Sequence, residues 1–194
     1  MNKLIASISL LIAAATSFPT PIDLVPRACT TIAPTVIDVL SLSSPNTPSP
    51  GQQFTLERQI SPPQNMKTSL VTFNIPRGST GCTLELAIPQ LTENNQIASG
   101  PGDTVQADVW STAPRLSPPT WNNQPAKSQM VATTRFPTGL TSKSQLTRLA
   151  SNTCSETMSF LVELSNWQTG EMGVDFTNSV GGQKDLGFKM EYNC

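Results

Sequence analysis

Residues 82–89, Cys-Thr-Leu-Glu-Leu-Ala-Ile-Pro, alternate in character along the chain and stop at a proline. Residues 70–76, Leu-Val-Thr-Phe-Asn-Ile-Pro, show the same period of two and the same stop. Such a period places alternate side chains on opposite faces of a β-strand, one towards a core and one towards water. Proline ends each run because it lacks the N–H that a strand interior donates. Both stretches therefore predict half-buried strands of an antiparallel sheet.

The period of two recurs on both sides of these stretches. Further runs show it at 54–60, 105–110, 158–164, 172–177 and 186–192. An apolar run at 35–40 and a weaker one at 129–136 bring the total to eight or nine short strands. The only helix-like stretch is 142–150, with Leu146 and Leu149 three positions apart. The pattern predicts an all-β fold, a jelly-roll-like antiparallel two-sheet β-sandwich, in one domain over residues 35–194.

The N-terminal residues have the layout of a secretory signal peptide. Lys3 precedes an apolar run at 4–15, which is too short to span a bilayer, and small residues follow it. We expect residues 1–17 to be this signal peptide, and the protein to be secreted into the extracellular space without a membrane anchor. Residues 18–34 form a Pro-rich segment with two open interpretations, a disordered terminus or a propeptide cut after Arg27.

The chain has four cysteines: Cys29, Cys82, Cys154 and Cys194. In an exported protein they are expected to be oxidised to two disulfides. Sequence cannot choose among the three pairings that four cysteines allow. We favour Cys29–Cys194, which ties the termini, and Cys82–Cys154 across the body. Because Cys-x-x-Cys and histidine are both absent, we expect neither a metal site nor a cofactor.

Charge and composition narrow the class of partner. Twelve basic residues balance thirteen acidic ones, which argues against nucleic acid and anionic membranes. We expect a monomer whose partner is an extracellular polysaccharide or protein. The lack of histidine excludes Ser-His-Asp and Cys-His catalysis, so we do not expect an enzyme. The remaining enzymatic alternative is a glycoside hydrolase that uses two carboxylates. Its candidate residues are Glu85, Asp108, Glu163, Asp175 and Glu191, all at outward strand positions where solvated surface charge is the ordinary explanation.

The three tryptophans suggest sugar binding. Trp110 falls on the polar face of its predicted strand, while Trp121 and Trp167 fall in amide-rich loops. An exposed indole can stack on a pyranose ring, and neighbouring amides such as Asn122 and Asn123 can bind its hydroxyls. The alternative interpretation is that each tryptophan packs under a loop at the end of the sandwich, which is the commoner fate of large aromatic residues.

Several of these motifs resemble a known family. Residues 70–76 and 81–89, Thr-Trp-Asn-Asn-Gln-Pro at 120–125, Cys154 before a strand and Cys194 at the end are similar to motifs of small fungal secreted proteins. Those proteins carry the domain named after the C-terminal part of the ubiquitin 3 binding protein. The resemblance implies an extracellular β-sandwich without an established activity.

The resemblance extends from about residue 68 to the end of the chain. The family name implies binding in the ubiquitin pathway, and this activity is not carried over to an exported, disulfide-bonded chain. Residues 105–125 are also similar to a loop of secreted sandwich modules associated with polysaccharide binding. We therefore favour a cell-wall or cell-surface glycan-binding module. The alternatives are a protein-interaction module or host-directed effector, and the carboxylate-only hydrolase.

Overall fold

The computed structural model describes residues 29–182 and 184–194, so the predicted signal peptide and the cut after Arg27 lie outside the described residues. The described residues form β-strands and no helix, and none of them provides a helix that could cross a membrane. The strands are β1 (Thr30–Ile32), β2 (Val36–Ser41), β3 (Pro50–Gly51), β4 (Gln53–Gln59), β5 (Asn65–Asn74), β6 (Cys82–Ile88), β7 (Ala98–Ser99), β8 (Thr104–Thr112), β9 (Lys127–Pro137), β10 (Gln145–Asn152), β11 (Thr157–Leu164), β12 (Met172–Thr177) and β13 (Gly187–Tyr192).

These strands form two antiparallel sheets, which confirms the predicted all-β sandwich. The smaller sheet has the order β1-β13-β6-β10, and the larger one has the order β7-β12-β4-β5-β11-β8-β9. In the larger sheet β2 pairs with both β5 and the two-residue β3. All nine predicted runs became strands. The structure adds the short β1, β3 and β7, and it also adds β10.

Strand β10 corrects the helix-like interpretation of residues 142–150. It pairs with β6 from Gln145 opposite Ile88 to Asn152 opposite Cys82, with an irregularity between Arg148 and Ala150. A run of about nine residues is too short to form a stable helix by itself, whereas the open edge of β6 supplies backbone hydrogen-bond partners. Pairing with a neighbour therefore prevails over the three-residue spacing of the leucines.

The main core lies between the two sheets. The alternating apolar residues of β4, β5, β8, β11 and β12 meet those of β6 and β13. Phe54 occupies the centre, with its ring centroid 4.9 Å from that of Phe176 and 5.0 Å from that of Phe188. Phe188 belongs to the smaller sheet and the other two rings to the larger one. This aromatic contact therefore joins the layers.

Two disulfides close the fold, in the predicted pairing. Cys29–Cys194 joins the residue before β1 to the end of the chain, and Cys82–Cys154 joins the start of β6 to the connection between β10 and β11. Strand β1 lies within the Pro-rich segment 18–34 and pairs with β13, so the smaller sheet begins before residue 35. Two such bonds are consistent with an extracellular protein.

Gly187 begins β13 in a conformation that side chains disfavour. Its φ is +120°, and a Cβ atom there would lie 2.1 Å from the side-chain oxygen of Asn178. Asn178 is buried and uses that oxygen to accept a hydrogen bond from the Phe188 N–H at 2.7 Å. The Asn178 side-chain nitrogen donates to the carbonyl of Phe188 at 3.2 Å. One asparagine thus joins the end of β12 to β13, and the contact requires glycine at 187.

Candidate functional site

A second apolar cluster lies on the outer face of the larger sheet. Leu40, Leu70 and Leu161 lie outside the main core, on β2, β5 and β11, yet all three are completely buried. Trp110 and Trp121 pack against these leucines and are themselves partly buried. The structure therefore brings two of the three predicted tryptophans together, in contact with leucines.

The connection between β8 and β9, residues 113–126, passes beside this cluster, and we call it the cover loop. Its Arg115 binds the carboxylate of Asp38 through Nε at 2.5 Å and Nη2 at 2.9 Å. The Asp38 side chain is 0% exposed and that of Arg115 is 18% exposed. The side-chain hydrogen bond with Asp38 raises the pKa of Arg115. The Arg115 backbone N–H also donates to Ser159 Oγ at 3.2 Å, so the loop is fixed to the sheet at two points.

The contacts of Trp110 are those of a packed side chain. Its Nε1 is buried and has no hydrogen-bond partner among the described residues. The Lys127 ammonium lies 5.2 Å from the centroid of the indole, a cation–π contact on the face that a sugar ring would use. Together with the leucine contacts, this favours the interpretation that Trp110 and Trp121 hold the cover loop in place.

The remaining predicted ligand-binding residues are distributed between two loops. Asn122 donates from Nδ2 to Asn46 Oδ1 at 2.9 Å and from its backbone N–H to the Pro45 carbonyl at 3.0 Å. Asn123 is exposed and lines a small pocket of about 180 Å³ in the cover loop. Trp167 is not part of the leucine cluster. It lies between β11 and β12 with 65% of its surface exposed.

Two of the candidate carboxylates face each other across β8 and β11. Asp108 lies opposite Glu163 in the strand register. Asp108 accepts hydrogen bonds from Ser165 Oγ at 2.7 Å and Thr133 Oγ1 at 2.8 Å. Both oxygens of Glu163 lie 2.6 Å from Lys127 Nζ. The hydroxyl groups stabilise Asp108 by hydrogen bonding, and Lys127 balances the charge of Glu163, so both carboxylates are engaged within the sheet.

A second pair lies on the outer face of the smaller sheet, where Glu85 corrects the sequence analysis. It was expected to be solvated surface charge, but it is only 3% exposed. Cations on both neighbouring strands cover it, with Arg148 Nε at 3.2 Å and Lys189 Nζ at 3.9 Å. Arg148 also lies 3.7 Å from Glu191. The outward strand position was right, but the long basic side chains on both sides exclude water.

The fifth candidate, Asp175, lies in an open groove across β4 and β12, which we call the β4–β12 groove. It has a volume of about 650 Å³, within the range of ligand sites. Asp175 accepts from Gln53 Nε2 at 2.8 Å and Thr55 Oγ1 at 2.7 Å. Gly173, two residues earlier, lies opposite Glu57 and leaves the floor between the two carboxylates without a side chain. The polar and charged lining residues are Thr55, Glu57, Arg58, Gln59, Lys67, Asn95, Gln96, Ser99, Glu171 and Asp175.

Of the residues that line this groove, only Asp175 was a candidate from the sequence. Glu57 could have been found, because it alternates with buried Leu56 on a predicted strand, but nothing in the sequence showed that β4 and β12 are neighbours. Glu171 ends the loop that carries Trp167 and accepts a hydrogen bond from the Ser61 N–H at 2.8 Å. Hydrogen bonding by the Ser61 side chain and backbone lowers the pKa of Glu171 below its ordinary value of 4.5.

Within the described part of the chain, one group of metal-ligating residue types lies beside the Cys29–Cys194 disulfide. The ligand atoms of Cys29, Glu191 and Cys194 are within 4.8 Å of one another. Both sulfurs belong to the same disulfide, and metal binding requires the thiolate. This group therefore does not form a metal site while the disulfide is intact.

The fold and these surfaces define a disulfide-bonded, all-β sandwich protein with polar open grooves on its outer faces. The family model of the ubiquitin 3 binding protein But2 C-terminal domain matches residues 33–181. The chain belongs to this family, as the motifs around Cys82 and Trp121 had suggested. A search of curated proteins found no similar sequence.

Proposed function

We propose that the protein is an exported, non-enzymatic glycan-binding module that holds a neutral saccharide in the β4–β12 groove. The observation that carries this proposal is the groove itself, an open polar cleft that combines carboxylates and amides around a floor left bare by Gly173. A carboxylate can accept several hydrogen bonds, and the sugar hydroxyl groups are donors that match it. Amide groups such as that of Asn95 supply both donors and acceptors.

Trp167 supplies an aromatic surface, which none of the residues that line the groove provides. It lies four residues before Glu171, on the loop that leads into the groove wall, and it is largely exposed. A pyranose stacked on this indole would occupy the end of a saccharide whose other rings lie in the groove. This assigns the stacking role to Trp167, while Trp110 and Trp121 keep the structural role that their leucine contacts support.

Export is part of the same proposal, since the apolar run at 4–15 and the two disulfides both suit an extracellular protein. The lack of enzymatic activity is supported by the contacts of the candidate carboxylates. Glu85, Glu163 and Glu191 lie beside cations. Asp108 and Asp175 accept hydrogen bonds from hydroxyl or amide groups of the sheets.

A neutral glycan array with the mature, oxidised protein tests the function, followed by titration of any saccharide that binds. Trp167→Ala should weaken binding about fivefold, as loss of one aromatic contact does, with an unchanged melting temperature. Trp121→Ala is the matched control. It should retain glycan binding but lower the free energy of unfolding by about 2 kcal/mol, because it truncates a partly buried ring. Loss of binding in Trp121→Ala but not in Trp167→Ala would contradict our assignment.

Recognition of a protein is the second candidate, and one observation favours it. Leu116, on the cover loop, is 95% exposed beside the small pocket that Asn123 lines. A single exposed leucine is common on protein surfaces, so this candidate rests on Leu116 together with the adjoining pocket, into which a side chain of a partner protein would fit. If no glycan on the array binds, we would assign binding of a partner protein to this loop as the function.

A further inference from the structure

A second large cavity, of about 710 Å³, lies on the opposite side of the molecule, over the smaller sheet. Strands β6, β10 and β13, which lie side by side, form part of its lining. The loops that precede β10 and β13 form the rest. Three lysines line it, Lys143, Lys184 and Lys189, and we call it the lysine cavity. The chain as a whole has a formal net charge of −1, so this concentration of positive charge is local.

The carboxylates near the lysine cavity are already engaged. Asp185, the only carboxylate among its described lining residues, accepts from the Gly181 N–H at 2.8 Å and the Gly182 N–H at 3.1 Å. Its other oxygen lies 3.5 Å from Lys189, and Lys189 also lies 3.9 Å from buried Glu85. Lys189 is therefore balanced by two acidic groups. It forms the fixed wall of the cavity.

Lys143 and Lys184 differ from Lys189. Among the described residues, neither has a carboxylate oxygen within 4.0 Å. The ammonium groups of Lys143 and Lys184 repel each other, whereas an anion bound between them would be attracted to both. Arg148, another cation on this sheet, is already engaged by Glu85 and Glu191, so Lys143 and Lys184 are the cations left for a bound anion.

We propose that the lysine cavity binds an acidic saccharide, with the carboxylate or sulfate group of the sugar between Lys143 and Lys184. The cavity is far larger than a single anion needs, and its volume falls in the range of small-molecule sites. Gln90, Ser142 and Gln145 also line it and provide amide and hydroxyl groups for the sugar hydroxyls. The site is separate from the β4–β12 groove and does not depend on binding there.

Calorimetric titration of the mature, oxidised protein with three probes tests this proposal. The probes are a uronic acid trisaccharide, the neutral trisaccharide of the same linkage, and sodium sulfate. We expect the acidic trisaccharide to bind, with an affinity that falls as salt is added. The neutral trisaccharide should not bind the lysine cavity, so any heat that it gives should be unchanged when Lys143 and Lys184 are both replaced with glutamine. If sodium sulfate binds as tightly as the acidic trisaccharide, the site is one for free anions and the saccharide assignment is overturned.

The double variant Lys143→Gln/Lys184→Gln should weaken binding of the acidic trisaccharide about tenfold, as the loss of two exposed ionic contacts predicts. Arg135→Gln is the matched control, because it removes a positive charge from an exposed position on β9 of the other sheet. It should bind like the parent. Equal binding by the double variant and the parent, or an equal loss in the control, would overturn the proposal. Both variants change exposed side chains, and an unchanged melting temperature confirms that they fold.

Discussion

Replacement of Arg115 with methionine removes the partner of a completely buried carboxylate. The two side chains form a two-point contact, at 2.5 Å and 2.9 Å, between the cover loop and β2. Methionine keeps most of the apolar length of the side chain, so the main change is the loss of the charge. Removal of one member of a buried ion pair costs about 3–5 kcal/mol, because the other charge is left without a partner in a poorly solvated place.

Asp38 and Arg115 differ in exposure, so replacing one should cost more stability than replacing the other. Asp38 is fully buried, whereas Arg115 retains 18% exposure and can reach water. Asp38→Asn should therefore cost less, about 1.5–3 kcal/mol, the value of hydrogen bonds to a charged group. Thermal unfolding with the disulfides intact measures both. At about 2–4 °C per kcal/mol for a domain of this size, Arg115→Met should lower the melting temperature by about 10 °C.

The double variant Asp38→Leu/Arg115→Met provides the control, since an apolar replacement of the whole pair should recover much of the lost stability. Tryptophan fluorescence adds a local readout, because Trp110 and Trp121 pack beside the cover loop. Arg115→Met should shift their emission to longer wavelength. The reasoning is refuted if Arg115→Met costs less than about 1 kcal/mol, or if Asp38→Asn costs more than Arg115→Met.

Three further predictions concern the stability of the fold. Cys82→Ala/Cys154→Ala should lower the free energy of unfolding by about 4 kcal/mol, since the bond closes a loop with a sequence separation of 72, and denaturant unfolding measures it. Gly187→Ala should cost at least about 2 kcal/mol by the same assay, because its Cβ would overlap the Asn178 oxygen; a change below 0.5 kcal/mol, on the order of a surface substitution, would contradict this. Because the folded-state pKa of Glu171 is lowered, its contribution to stability is present above pH 4.5 and lost as pH falls through the folded value. Glu171→Gln should therefore be less stable than the parent at neutral pH and equal to it in acid, and a constant difference across pH would contradict the linkage.

The strands could be predicted from sequence because a period of two reports directly which side chains face a core. Phe54, Val71 and Leu84 are buried as their alternation indicates. The same signal cannot detect β3 or β7, which have two residues each, nor β10, whose Leu146 is exposed at the sheet edge. Edge strands are defined by the neighbour they pair with, and that neighbour is distant in sequence.

The candidate site was harder to predict because the period of two shows which face a residue lies on but not what covers that face. Trp110 was correctly placed on the outer face, and its burial comes from leucines on other strands. A signal was available, since Leu40, Leu70 and Leu161 are apolar residues at outward positions of three predicted strands. The contact that fixes the loop joins Asp38 to Arg115, 77 positions apart, and no local pattern reports it.

The two outer faces of the sandwich differ in charge, and this difference separates the two binding proposals. Three carboxylates and two cations line the β4–β12 groove, whereas three lysines and one carboxylate line the lysine cavity. A neutral saccharide in the groove forms hydrogen bonds and one stacking contact, and these respond weakly to salt. An acidic saccharide in the lysine cavity depends on ionic contacts that salt screens over about 10 Å at ordinary ionic strength. Titration of each ligand at low and high salt, with Trp167→Ala and with the double lysine variant, therefore assigns each binding event to one face. If both ligands lose affinity with salt and both variants affect both ligands, the two sites are not independent and the separation proposed here is wrong.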